Sequence, residues 1–216
     1  MQTLLVRRET PADYRTVELL TREAFWNLHG PGCDEHYLAH VLRKAAAFIP
    51  ELDFVAELDG NVIGNIMYAR STVALDAGGD FPVITFGPVS VLPEFQRKGV
   101  GRRLIGHTLG LAKEAGYPAV FIYGDPAYYG RLGFLPAERF GVGTEDNRYH
   151  DALQTIELQP GALRNARGRF LEGCVYHVNQ AAAEAFDQTF PQKEKLSGTP
   201  SQLRFLETVA MHKPRV

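Results

Sequence analysis

The chain has little of what marks several protein classes. Only two of its 216 residues are cysteines. Cys33 and Cys174 lie far apart and form no CxxC pair, which argues against a disulfide framework and against a zinc site. No apolar run approaches the roughly 20 residues that a membrane span requires. The start, MQTLLVRRETPAD, lacks an apolar stretch of signal-peptide length. Charge is not one-sided: the formal net charge is -2, against the broad basic surface of a general nucleic-acid binder. Repeats and low-complexity tracts are also missing. A cytoplasmic protein with no membrane or nucleic-acid partner is the expectation. Hydrophobic residues make up 45% and charged residues 22%, ordinary usage for a globular chain long enough to bury a sizeable core.

The patterning predicts a mixture of helices and strands. Leu4-Leu5-Val6 is a short candidate strand. Thr10 and Pro11, with Asp13 in the first turn, predict a helix start, followed by Tyr14, Val17, Leu20 and Ala24 at helical spacing. A second helix is expected over 34–47, with Tyr37, Val41 and Leu42 on one side. Asp59-Gly60 between apolar runs predicts a hairpin over 53–69. Residues 82–92 form a candidate buried strand interrupted by Gly87-Pro88, where a bulge or splay is expected. A helix with Leu104, Ile105, Thr108, Leu111 and Ala112 follows and stops at Gly116 and Pro118. Residues 119–123 predict a strand, and Asp125-Pro126 opens a short helix that Gly133 ends. Residues 152–158 and 170–178 alternate like strands, and 180–187 predicts a short helix. The polar stretch 188–199 is the best linker candidate. Thr199-Pro200-Ser201-Gln202 carries a capping signature ahead of a Leu203/Leu206/Ala210 stripe, expected to pack inward. Asp53, Asp59 and Glu94 are assigned to turns or the surface.

Chemistry concentrates in Gln96-Arg97-Lys98-Gly99-Val100-Gly101, between a buried strand and an amphipathic helix. Glycines let a backbone approach a ligand closely. A helix start presents unpaired N–H groups at the positive end of the dipole. Together they suit a phosphate or pyrophosphate, with Arg97, Lys98, Arg102 and Arg103 adding charge. A P-loop needs Lys then Ser or Thr after its last glycine, where Arg102-Arg103 stand here. A dinucleotide fingerprint needs a third glycine where Leu104 stands. Both readings fail on the residues.

Gln96, Gly99 and Gly101, after Val91-Leu92-Pro93, resemble the coenzyme A-binding signature of the GNAT superfamily of acyltransferases. Tyr128-Tyr129-Gly130-Arg131-Leu132-Gly133-Phe134 is similar to that family's aromatic-Tyr-x-x-x-Gly-Phe segment. The resemblance covers about residues 1–135 and implies an α/β fold, a mixed central sheet with helices on both faces. It implies a domain over 1–178, with 179–216 as a C-terminal helical extension. It implies an N-acetyltransferase that moves an acetyl group from acetyl-CoA to a primary amine of a small molecule or a protein, with no metal. Carried onto this sequence, Tyr129 becomes the acid for the leaving thiolate. Val89 and Val91 border the pantetheine arm, and Gln96, Arg97, Lys98, Gly99, Val100, Gly101 and Arg102 hold the pyrophosphate. Asp125 replaces the family's common Asn, so its contact with the arm must differ. No base is assigned by spacing among Glu23, Glu57, His29, His36, His107 and His150. Trp26 is more simply a residue closing the core edge than a wall of the acceptor pocket. Dimers are common in that family, and a C-terminal helix could contribute to one. A non-catalytic acyl-CoA-binding module and an ATP-binding protein are the competing readings.

Overall fold

A computed structural model describes residues 4–215. The strands are β1 (Leu4–Arg8), β2 (Phe54–Leu58), β3 (Asn61–Leu75), β4 (Asp80–Val91), β5 (Ala119–Tyr123), β6 (Leu135–Pro136), β7 (Val142–Gly143), β8 (Arg148–His150), β9 (Leu153–Glu157), β10 (Gly168–Leu171) and β11 (His212–Pro214). The helices are α1 (Tyr14–Phe25), α2 (Glu35–Leu42), α3 (Val100–Glu114), α4 (Pro126–Tyr129), α5 (Gln180–Asp187) and α6 (Pro200–Ala210). One sheet runs in the order β1-β2-β3-β4-β5-β9-β6, and β10 joins the far half of β3 and also pairs with β7. All neighbours are antiparallel except β4 with β5 and β10 with β7. This is the expected mixed sheet with helices on both faces. Leu104, Ile105 and Ala112 of α3 pack on Ile66, Tyr68, Ile84, Phe86 and Val120. Ala39 and Leu42 of α2 pack on Met67 and Ala69, which point the other way from β3, as strand alternation requires.

The predicted hairpin forms around Asp59-Gly60, both with positive φ. A second, longer hairpin joins β3 to β4 through the turn at Gly78-Gly79. At Gly87-Pro88 the β3–β4 register shifts: Val89 faces Ile66 and Phe86 faces Tyr68, so two residues of β4 oppose Met67 alone. That two-against-one count is a β-bulge. β4 then pairs with β5 only at Ile84–Val120 and Thr85–Phe121. From Phe86 onward the β5-facing edge of β4 has no strand beside it, and the two strands splay.

Several expectations shift for physical reasons. The α1 helix begins at Tyr14, not Pro11: residues 11–13 form a turn closed by the Asp13 amide on the Thr10 carbonyl at 2.9 Å, the first helical bond runs from the Val17 amide to the Asp13 carbonyl, and the Asp13 carboxylate is held by Thr10 and by Arg7 at 2.7 and 2.9 Å. The α2 helix ends at Leu42, and its buried residues are His36, Leu38, Ala39 and Leu42. Strand β10 stops at Leu171. Gly173, at φ 105, turns the chain into a short 3-10 segment that lays Tyr176 against β4. Asp53 is buried, not at the surface; burial, with Glu9 beside it, pushes its carboxyl up to about 9.

The presumed linker is bonded along its length. Arg15 donates to the Thr189 carbonyl, Lys193 pairs with Glu23 at 2.6 Å, and the Glu194 carbonyl accepts from Trp26 and Asn27. Ahead of it, the Asp187 carboxylate reaches Arg22 Nε at 2.6 Å, fixing α5 to α1. The Thr199–Gln202 capping box forms as predicted. The stripe behind it does not pack inward: Leu203 is 53% and Leu206 61% exposed. Instead Gln202 holds α6 down through the Asn27 and Leu196 carbonyls, and Phe205 lies 4.5 Å from the His29 ring. No helix among the described residues is long and apolar enough to cross a membrane.

Candidate active site

The splay between β4 and β5 opens into a cleft of about 900 Å³. One end is the start of α3. The chain leaves β4 through a 3-10 turn over Pro93–Phe95, and Arg97 and Gly99 take left-handed conformations at φ 59 and 88. Gly99 is the N-cap of α3, yet no side chain caps the helix and no acidic residue occupies its first turn. The first amides of a 15-residue helix therefore face the cleft with their dipole uncompensated. At Gly101 a Cβ would stand 3.1 Å from the Tyr128 hydroxyl, a tight contact that the glycine avoids at this end of the cleft.

Val89, Val91, Gln96, Arg97, Gly99, Val100, Gly101, Arg102, Asp125 and Tyr129 all line this one cleft. Gln96 does so with its amide committed, donating to the Val91 carbonyl at 3.1 Å. Lys98 is not brought in; its ammonium sits 5.5 Å from the Phe95 ring centroid. Arg103 turns to a separate groove with Leu4 and His107.

Tyr129 stands where the strands part. The Asp125 side chain accepts from the Ala127 amide at 2.8 Å, and its carbonyl accepts from the Tyr128 and Tyr129 amides. The residue in place of the family's Asn is thus the N-cap of the turn that carries the tyrosine, an acceptor's role that a carboxylate fills well. The Tyr129 ring packs edge-on to Phe134 and Tyr128. A Cβ at Gly124 would overlap it, so only glycine leaves the ring its place. Burial, then the neighbouring Tyr128, Tyr68 and Asp125, pushes the phenol above its usual range. Tyr129 is therefore a protonated donor at neutral pH.

Beyond Tyr129 the cleft continues between the α1–α2 connection and the turn after β10. Ala24, Phe25, Leu28, His29, Glu35 and Leu38 line it, with Glu172 and Tyr176. Tyr176 donates to the Gly87 carbonyl at 3.3 Å. His29 Nδ1 is 3.0 Å from Glu35. Trp26 lies outside, bonded to Glu194 with its ring under Arg22. The remaining base candidates stand elsewhere: Glu23 pairs with Lys193 and Glu57 with Arg7, His36 is buried beside Asp187, His107 lies edge-on to Phe54, and His150 accepts from the Ala152 amide. Sequence reading missed Glu172. Its signal was a lone acid closing the apolar run Phe170-Leu171 just before a glycine.

An acetyltransferase (GNAT) domain family matches residues 6–137. The uncharacterized N-acetyltransferase YhbS of Escherichia coli is 30% identical over 166 residues, 76% of this chain and 93% of that protein. The crystal structure of YhbS in complex with CoA superposes with a TM-score of 0.71 at 29% identity, covering 82% of this chain and 94% of the other. A GNAT family acetyltransferase from Brucella melitensis in complex with acetyl-CoA gives 0.65 at 26% identity, covering 82% and 99%. A family pattern over more than half the chain, two relatives along nearly their whole length and the splayed sheet agree: this chain belongs to the GNAT acetyltransferases and is an acyltransferase.

Proposed function

We propose that the protein transfers an acetyl group from acetyl-CoA to a primary amine by direct attack of the amine nitrogen on the thioester. One observation carries the reading: a buried, protonated Tyr129, on a turn capped by Asp125, faces the same cleft as the uncapped start of α3. Acetyl-CoA supplies the activated carbonyl. The amides at Gly99, Val100, Gly101 and Arg102, with the Arg97 and Arg102 side chains, receive the pyrophosphate. The unpaired edge of β4 at Val89 and Val91 borders the pantetheine arm. Gln96 shapes that edge through its bond to Val91, and Lys98 contributes field without contact. The coenzyme species carried by the YhbS and Brucella structures support the choice of donor.

Tyr129 donates a hydrogen bond to the sulfur as the carbon–sulfur bond breaks. Its raised pKa keeps the phenol protonated, so it acts by a hydrogen bond that strengthens as negative charge develops on the sulfur and not by giving up its proton early. Residues 179–216 act as a helical extension of the 1–178 domain that backs the acceptor end, with Phe205 against His29.

The test is release of free thiol from acetyl-CoA across a panel of amines. The expected result is release that requires a primary amine, is matched by acetylated product and stops with a tertiary amine of the same skeleton. Thiol release indifferent to the amine would reduce the activity to thioester hydrolysis and sink the transfer reading.

A further inference from the structure

The two ends of the cleft differ in charge. Its only lysine or arginine side chains among the described residues are Arg97 and Arg102, both at the α3 end. The far end is walled by apolar and aromatic side chains and holds two carboxylates, Glu35 and Glu172. Glu35 is occupied: one oxygen lies 3.0 Å from His29 and the other accepts from the Asp34 amide at 3.2 Å.

Glu172 is placed differently. Its backbone is fixed, because Leu171 registers with Thr72 and Ser71 Oγ donates to the Glu172 carbonyl at 3.0 Å. Its carboxyl has no hydrogen-bond or ion-pair partner among the described residues, and burial alone pushes it up to about 7. The titratable groups facing it are Tyr123 from β5 and Tyr176 from the turn after β10. Both phenols are raised, first by burial and then by the charge of Glu172, so neither competes for its proton near neutrality. Glu145 and Asp146 also act on Tyr123 through their charge. His29 and Glu35 face the same space from the α1–α2 side, and Asp125, Tyr128 and Tyr129 from α4. Glu172 is half-buried and its carboxylate faces the cleft unpartnered, so an arriving cation relieves the cost of its partial removal from water.

We propose that Glu172 receives the acceptor's ammonium group and takes a proton from it, and that the acceptor is a small primary amine with an apolar or aromatic body and no carboxylate beside the nitrogen. The proposal rests on the acetyl-transfer reading. In the step, one N–H bond of the ammonium breaks and its proton passes to a Glu172 oxygen. The freed lone pair then forms the bond to the acetyl carbon as the carbon–sulfur bond breaks; that bond's electron pair leaves on the sulfur, which ends as the CoA thiol by taking the second proton that the acylated nitrogen sheds. An amino acid would carry its own carboxylate into an end that offers two acids and no guanidinium, so like charges would meet there.

The experiment compares phenethylamine with phenylalanine as acceptors, with acetyl-CoA binding measured in parallel by calorimetry. Phenethylamine should have the higher kcat/KM by about 10²-fold or more, the scale of a misplaced charge. The carboxylate must be ionised to accept a proton, so kcat/KM should rise with pH through about 7. In Glu172→Gln that inflection should vanish and kcat/KM fall about 10²-fold or more, with acetyl-CoA affinity unchanged. Glu172→Asp should keep part of the inflection. Equal use of phenylalanine, no turnover of phenethylamine by protein that binds acetyl-CoA, or an inflection preserved in the Gln variant would each overturn the proposal and leave the donor site standing. Failure to bind acetyl-CoA would take down both.

Discussion

Replacing Tyr129 with Phe should lower kcat by about 10²–10⁴-fold, the range for a positioned proton donor, and leave acetyl-CoA affinity nearly unchanged. The substitution isolates one atom. The ring keeps its packing against Phe86 and Phe134 and its place over Gly124. The hydroxyl has no hydrogen-bond partner among the described residues, so its loss strands no buried group and the melting temperature should hardly move. Thiol release under saturating donor and acceptor reads kcat, and calorimetry reads the donor's Kd. A loss smaller than about tenfold would mean that the thiolate leaves without help from this phenol.

Arg22→Ala should have the largest effect on stability, about 3–5 kcal/mol, the cost of leaving a buried ion pair with one partner. The Arg22 side chain is 1% exposed and reaches Asp187 at 2.6 Å, with its guanidinium 4.2 Å from the Trp26 ring centroid. Asp187 is 17% exposed, which places the effect toward the lower bound. Since a domain's whole stability is about 5–15 kcal/mol, urea unfolding should show a large fall in midpoint. A depression of melting temperature near 10 °C is expected at about 2–4 °C per kcal/mol. Arg22→Met with Asp187→Leu should recover part of the loss, because no guanidinium or carboxylate is then left alone; the recovery stops short of full because buried His36 loses Asp187, 3.2 Å from its Nε2. Because α5 and residues 188–199 behind it rest on this pair, the amine KM should rise while acetyl-CoA affinity holds. A single variant as stable as the parent would show that the pair does not anchor α5.

The parts of this protein legible in its sequence are those governed by local rules. Asp59-Gly60 needs two positive φ values in a row, and few residue pairs supply them. The Thr199 capping box is complete within four residues. Gln96, Gly99 and Gly101 mark a strand-to-helix turn wherever they stand together. Tyr129 and its Asp125 cap sit within a short reach of each other, so the turn and the ring it carries come as a unit.

What was illegible depends on distant partners. Glu172 matters because β10 inserts beside β3, a pairing across about a hundred residues that no periodicity announces. Asp53 looked like a turn residue because nothing nearby reveals Glu9 beside it. The 188–199 stretch has a linker's composition, yet its carbonyls and charges meet Arg15, Glu23, Trp26 and Asn27. The leucine stripe of α6 has helical spacing but faces solvent, since Gln202 and Phe205, not the stripe, make the contacts. Amphipathic spacing gives the shape of a helix but not the face that will be buried.

The central claim is that the cleft between β4 and β5, starting at α3, is a coenzyme A site. Its most direct test is the melting of the purified protein with acetyl-CoA, with CoA and with magnesium-ATP. Each CoA species, at about 100 times its Kd, should add about 2.7 kcal/mol and raise the melting temperature clearly, with magnesium-ATP producing no comparable shift. A melt unmoved by either CoA species, or a rise with magnesium-ATP that CoA cannot displace, would contradict the account.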